Sequence, residues 1–234
     1  EKTNPTPIKF ASLSQDEKLI VGNPIMPFVR VTQKKSDTEK EFPPKQLSDL
    51  PGAEDETRLI ASLLNVKPLI GKEATKSIVM GRMNNAKLIH LATHGLLDGF
   101  GERTPGAIAL SPDSPPSPKN ANEGLLRTSE IVENLKLQAD LVILSACDTG
   151  GGEISGDGVL GLSRAILTAG AKSLIVSLWK VPDNETSDLM VEFYQQLEKN
   201  PDKARALRQA MLKTKEKHPG AAYWAAFTII GNPE

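Results

Sequence analysis

The sequence predicts an α/β fold with a mostly parallel central sheet and helices on both faces. Three observations carry this. Short β-branched apolar runs alternate along the chain with segments of helical period. Two runs, DLVILSAC at 140–147 and SLIVSLW at 173–179, are apolar at nearly every position, as in strands buried on both faces. The composition is that of a folded domain, 39% hydrophobic with 18 glycines in 234 residues.

In chain order, LIVG at 19–22 is short and branched enough to be a first strand. Residues 32–51 carry Lys, Asp, Glu and prolines without periodicity and read as a loop or extended connection. From Ala53 to Leu64 the apolar residues fall on one helical face, after the punctuating Pro51–Gly52. VKPLI at 66–70 reads as an edge strand with its proline, 74–86 as a helix, and LIHLAT at 88–93 as a strand bounded by Gly95. AIAL at 107–110 is a further strand candidate, running into the Pro-, Ser- and Asn-rich segment 111–124, a surface loop. A helix near 127–136, the strand at 140–147, a Gly-rich loop at 150–158 and a helix near 157–169 follow. Leu189, Phe193 and Leu197 are spaced i, i+4, i+8, and Ala204, Leu207 and Met211 i, i+3, i+7, marking two helices between the strand candidates at 173–179 and 224–231. Residues 1–18 form a polar N-terminal segment and 19–234 a single domain.

The charge balance, 28 basic against 29 acidic residues, offers no global field for a polyanion or an anionic membrane, so neither nucleic acid nor membrane is an expected partner. Apolar runs are short, far below the roughly 18 residues that span a bilayer. The expected location is the cytoplasm. One cysteine excludes an internal disulfide and a thiolate-rich zinc site. Glu1 stands where a methionine would open a gene product, and a longer parent chain is expected.

In open α/β sheets reactive groups gather beyond the carboxyl ends of the strands. His94 ends one apolar run and is followed by Gly95; Cys147 ends another and is followed by Asp148, Thr149 and three glycines. If those strands are neighbours, an imidazole and a thiol project from adjacent tips as base and nucleophile. The thiol needs the base, since at a pKa of roughly 8.5 only about 3% is thiolate near pH 7. An oxyanion needs backbone N–H donors, and the amides of Gly95 and Cys147 are the candidates. A lone cysteine at a strand end is otherwise a small buried hydrophobe.

The segments LIHLATHG (88–95), DLVILSACDTG (140–150) and the block from Gly156 to Leu197 resemble CHAT domains, caspase-like cysteine peptidases related to separases and metacaspases and often fused after tetratricopeptide repeats. The resemblance runs from about residue 19 to the end. It implies a caspase-like fold, His94 as general acid/base, Cys147 as nucleophile, a protein or peptide substrate along the strand tips, and no metal or organic cofactor. It also implies upstream tetratricopeptide repeats and control by them or by a partner; the loops at 111–124 and 148–158, rich in Pro and Ser or in Gly and without a periodic apolar face, are where such control is expected to act. The expected function is cysteine endopeptidase; the alternative is a catalytically silent or regulatory interaction module on the same fold.

Asp148 either lines the site or is a turn residue beside glycine. Asp183 falls where related loops shape the first specificity pocket, and is otherwise an N-cap for a helix at 184–199. Trp179 either walls a peptide groove or closes the core edge. A pocket carboxylate predicts a basic residue before the cut, with Asp183 its bearer ahead of Asp148. His90, four residues before His94 on a strand, has no HExxH glutamate beside it and reads as a satisfied core histidine. His218, at a Lys-rich helix end, reads as structural. GDGVLG at 156–161 begins too far beyond its strand for a dinucleotide loop, and Ser163 lacks the flanking glycines of a hydrolase elbow.

Overall fold

The structure is a computed structural model describing residues 10–30, 32–35, 38–41, 43–96, 106–145 and 156–233. The chain opens with a 3-10 turn at Phe10–Ser12 and strand β1 (Lys18–Pro24). Short strands β2 (Phe28–Val29), β3 (Thr32–Lys35), β4 (Thr38–Glu41) and β5 (Lys45–Gln46) lead to helix α1 (Pro51–Leu63). Next come β6 (Leu69–Gly71), α2 (Lys76–Met83), β7 (Leu88–Ala92), β8 (Gly95–Leu96), β9 (Ala107–Ala109) and β10 (Leu125–Arg127). The second half holds α3 (Thr128–Asn134), β11 (Leu141–Leu144), α4 (Gly156–Thr168), β12 (Ser173–Ser177), α5 (Asp183–Lys199), α6 (Lys203–Lys217), α7 (Ala221–Trp224) and β13 (Phe227–Gly231).

Six strands make the central sheet in the order β13-β12-β11-β7-β1-β6, all parallel except β13. VKPLI does supply an edge strand, β6, although pairing starts only at Leu69, after the proline. Strand period 2 sorts the side chains. Ile89, Leu91, Val142, Leu144, Leu174 and Val176 face α2, α3 and α4, where Val79, Met83, Ile131, Leu162 and Ile166 meet them. Leu88, Leu141, Ile143 and Ile175 face the other way, onto Ile60 of α1, Phe193 of α5 and Leu207 of α6.

Three segments differ from the sequence expectation. Thr32–Lys35 and Thr38–Glu41 pair antiparallel in the register Thr32↔Glu41, and Phe28–Val29 pairs with Lys45–Gln46. Polar ribbons carry no apolar face, so no hydrophobic period announces them. AIAL belongs to a separate ribbon, β10-β9-β8, and not to the central sheet. The last strand starts at Phe227, because Trp224 still belongs to α7. The segment 111–124 is held by local bonds, with Asn120 accepting from the Ser117 backbone N–H at 2.7 Å and donating to Ser114, Pro115 and Glu123.

Two glycines decide how α1 sits. A Cβ on Gly22 of β1 would collide with the Thr57 side chain and lie 2.8 Å from the Ala53 carbonyl, so the bare backbone lets α1 settle on the strand. A Cβ on Gly52 would collide with Asp183, so the first turns of α1 and α5 touch there.

Candidate active site

Strands β7 and β11 are parallel neighbours, with His90 opposite Ile143 and Leu91 opposite Leu144, and the Ser145 N–H donates to the Leu91 carbonyl at 3.1 Å. The condition posed by the sequence is met, since the chain leaves the sheet toward His94 and toward Cys147 from adjacent strand ends. Cys147 and Asp148 lie outside the described residues.

His94 is 1% exposed. Its Nε2 is 2.8 Å from the backbone carbonyl of Ser48. A carbonyl only accepts, so Nε2 carries a proton and donates it to that oxygen. Two bonds to β9 set the backbone around it: Thr93 Oγ1 donates to the Ala109 carbonyl at 2.7 Å, and the Ala109 N–H donates to the His94 carbonyl at 2.9 Å. The second bond makes His94 and Ala109 a hydrogen-bonded pair, so Gly95 and Ile108, the next pair, are non-hydrogen-bonded. The Gly95 N–H therefore points away from β9, on the open edge of the ribbon.

Beyond the ends of β11 and β12 lies a cleft of about 390 Å³. Ser48, Asp49 and Leu50 form one wall, Lys180 to Asp183 another, and Ala53, Glu56, Ser145, Ser177 and Thr186 also line it. Ser145 and Ser177 are 3% and 2% exposed. They follow Leu144 and include the last residue of β12, strands paired Leu144↔Val176, so the two hydroxyl groups stand side by side.

Asp183 lines this cleft at an exposed position. The N-cap reading is corrected: the cap residue of α5 is Pro182, and Asp183 is the first helical residue, seated against Gly52 in the first turn of α1. A carboxylate there complements the amide dipoles of both helix starts. Trp179 is not among the cleft residues; its indole Nε1 donates to the Ala222 carbonyl at 2.9 Å, tying the chain after β12 to α7.

Beneath the cleft lies a buried polar chain that the sequence did not disclose as a unit. His90 Nε2 is 2.9 Å from Glu56 Oε1, and His90 Nδ1 is 3.2 Å from the Tyr194 hydroxyl. All three are buried, with Glu56 2% exposed. Burial, and secondarily the Glu56 charge, pushes the Tyr194 phenol well above its ordinary value, so it keeps its proton. Glu56 had a detectable signal, since it sits three residues after Ala53 and four before Ile60, inside the apolar stripe of α1. Ser145 and Ser177 were visible as hydroxyl groups closing two apolar runs, but their adjacency required the sheet order.

Among the described residues, no group of three or more His, Cys, Asp or Glu side chains is arranged to hold a metal ion. No described helix is long and apolar enough to cross a membrane.

The family model for the CHAT domain matches residues 4–232. Tetratricopeptide repeat protein 28 of Mus musculus is 29% identical over 210 residues, covering 78% of this chain and 9% of that protein. Its Homo sapiens counterpart is 30% identical over 210 residues, covering 78% of this chain and 8% of the relative. The chain thus spans less than a tenth of these curated relatives. Among solved structures, the Arg-specific cysteine proteinase gingipain R superposes with a TM-score of 0.57 at 13% identity, covering 94% of this chain and 48% of the other. The complex of Porphyromonas gingivalis RgpB pro- and mature domains gives 0.55 at 14% identity, with the same coverage of 94% and 48%. These likenesses establish the layered sheet as the caspase-like fold of cysteine peptidases, and the chain belongs to the CHAT domain family.

Proposed function

We propose that this domain is a cysteine endopeptidase using His94 and Cys147. The carrying observation is that β7 and β11 are parallel neighbours, so the run that closes with His94 and the run described as far as Ser145 finish at the same end of the sheet, where Ser145 lines the cleft. In this reading His94 Nδ1 takes the Cys147 thiol proton, the thiolate attacks the scissile carbonyl carbon, and the Gly95 and Cys147 amides stabilise the oxyanion. The C–N bond breaks as His94 Nδ1 delivers a proton to the leaving amine. Water then hydrolyses the thioester. The Ser48 carbonyl is a positioning group, holding the ring in the tautomer that leaves Nδ1 facing its work.

Asp183, exposed at the cleft wall, adds a solvent-screened negative charge that favours a basic residue before the cut, and Asp148 is the second acidic residue of this reading. The names of the curated relatives support a setting downstream of tetratricopeptide repeats, which would present a protein substrate or a regulating partner. A lone cysteine used as a nucleophile suits a reducing compartment, the cytoplasm. The competing reading, a silent interaction module, predicts no reaction at Cys147. Labelling with electrophilic peptide probes tests both: attachment that disappears in Cys147→Ala and falls in His94→Ala supports the peptidase, and identical labelling of all three proteins overturns it.

A further inference from the structure

We propose that Glu56 is the specificity-determining carboxylate of the cleft and receives the terminal cation of an arginine or lysine side chain. This deepens the peptidase reading, on which it rests for the identity of the side chain as a substrate residue beside the scissile bond.

The protonation pattern of the buried chain places a net charge on Glu56. Tyr194 is 2% exposed, and its hydroxyl has His90 Nδ1 as its hydrogen-bond partner. A buried O–H must be donated or go unsatisfied, so Tyr194 donates and Nδ1 accepts. Nε2 then carries the proton of a neutral imidazole and donates to Glu56 Oε1. The chain Tyr194 to His90 to Glu56 is satisfied throughout and bears one negative charge, on the carboxylate that lines the cleft.

A second, independent observation points to a ligand. The Ser145 Oγ, 3% exposed and lining the same cleft, has no hydrogen-bond partner among the described residues. Such a group costs about 1–3 kcal/mol until it is satisfied. A guanidinium offers five N–H donors in a plane, enough for the carboxylate of Glu56 and the oxygens of Ser145 and Ser177 together. An ammonium offers three.

Other charges on the cleft do not remove this preference. Asp49 and Asp183 are acidic and exposed; Lys180 is exposed and has an interaction of its own. The first turns of α1 and α5 face the cleft and favour anions, and Asp183, seated between them on Gly52, offsets those dipoles. Its charge is also screened by solvent, whereas Glu56 acts from low dielectric and is held in place by His90.

The test is calorimetric binding of agmatine, a butyl guanidinium, and of butylurea as its neutral counterpart, to wild type, Cys147→Ala, Glu56→Gln and Asp183→Asn. Agmatine should bind wild type and Cys147→Ala alike, weaken at least tenfold in Glu56→Gln and no more than threefold in Asp183→Asn; butylurea should bind none of them. Because binding needs no cleavage, this result stands even for a chain that hydrolyses nothing. Agmatine binding that is absent in wild type, or unchanged in a folded Glu56→Gln, overturns the proposal. So does cleavage confined to peptides with an apolar residue before the cut, which would leave the peptidase reading intact. Should Glu56→Gln fail to fold, a crystal structure of wild type with agmatine decides: a guanidinium within 3.5 Å of the Glu56 carboxylate and Ser145 supports the assignment, and one seated elsewhere overturns it.

Discussion

The two faces of the central sheet are built from the same strands and do different work. Toward α2, α3 and α4 the strands present only apolar side chains, from Leu19 and Val21 through Ile89, Leu91, Val142, Leu144, Leu174 and Val176. Toward α1 and α5 the same strands present Leu88, Leu141, Ile143 and Ile175 in their deeper part. His90, Ser145 and Ser177 stand on that side with Glu56 and Tyr194. The first face can only hold the fold together. The second does so as well, but its polar side chains are committed to one another or to the cleft, so a change there should register in chemistry as well as stability.

The largest effect expected is at the strand ends. Cys147→Ala should reduce peptide cleavage to background, and His94→Ala should slow it by about 10²–10⁴-fold, the usual worth of a general acid/base, with both variants retaining the wild-type melting profile. A His94→Ala rate within twofold of wild type would break the link between the polar face and catalysis.

A matched pair probes the two faces directly. His90→Phe keeps the volume of a ring but strands the Glu56 carboxylate and the Tyr194 hydroxyl, and should cost about 3–5 kcal/mol in denaturant unfolding. Leu91→Ala, one residue on and facing α2, α3 and α4, should cost about 2–5 kcal/mol through its cavity. At a temperature where both are folded, only His90→Phe should alter the ratio of kcat/KM between arginyl and norleucyl peptides. Equal shifts in that ratio would erase the contrast.

A smaller loss is expected where α1 rests on the sheet. Gly22→Ala drives a Cβ into Thr57 and the Ala53 carbonyl and should destabilise by about 1–3 kcal/mol, with reduced activity as α1 and its Glu56 shift. A wild-type melting temperature with intact activity would show that α1 is not seated by that contact.

The smallest effect sits far from the cleft, where Asp188 of α5 meets the end of α6. Burial by itself would raise the Asp188 pKa, but the hydrogen bond from His218, 2.9 Å away, and the Lys217 charge outweigh it and hold the carboxyl below its ordinary value of 3.8. A depressed folded pKa contributes stability above the unfolded value that is lost as pH falls through the folded one. Asp188 is 39% exposed, so Asp188→Asn should cost only a few tenths of a kcal/mol at pH 7, with no difference left well below pH 3.8. A penalty that persists at low pH would mean that packing, and not charge, is lost.

Much of this molecule is legible in the chain because its determinants are local. An apolar run has a strand's length and a helix has its stripe, so β1, β7, β11, β12, α1 and α5 follow from periodicity alone, as does the placing of His94 and Cys147 at the ends of runs. The paired strands β3 and β4 escaped for the converse reason, since their sequences are polar throughout and leave no hydrophobic period. His90 was readable as a core histidine because it lies mid-strand, yet its partners come from positions 34 and 104 residues away, beyond any local pattern.

By itself, then, the sequence determined the main strands and helices and which two residues, an imidazole and a thiol, close apolar runs. Only the tertiary structure decided that β7 lies beside β11, that Ser145 and Ser177 share one floor, that Asp183 sits on Gly52 instead of capping α5, and that an acid in a helix stripe, Glu56, lines the cleft from a buried position. The physical reason is the range of the interactions. Backbone preference and hydrophobic period act over a few residues, whereas strand order, close approach of backbones and the satisfaction of buried polar groups are settled only when distant segments pack together.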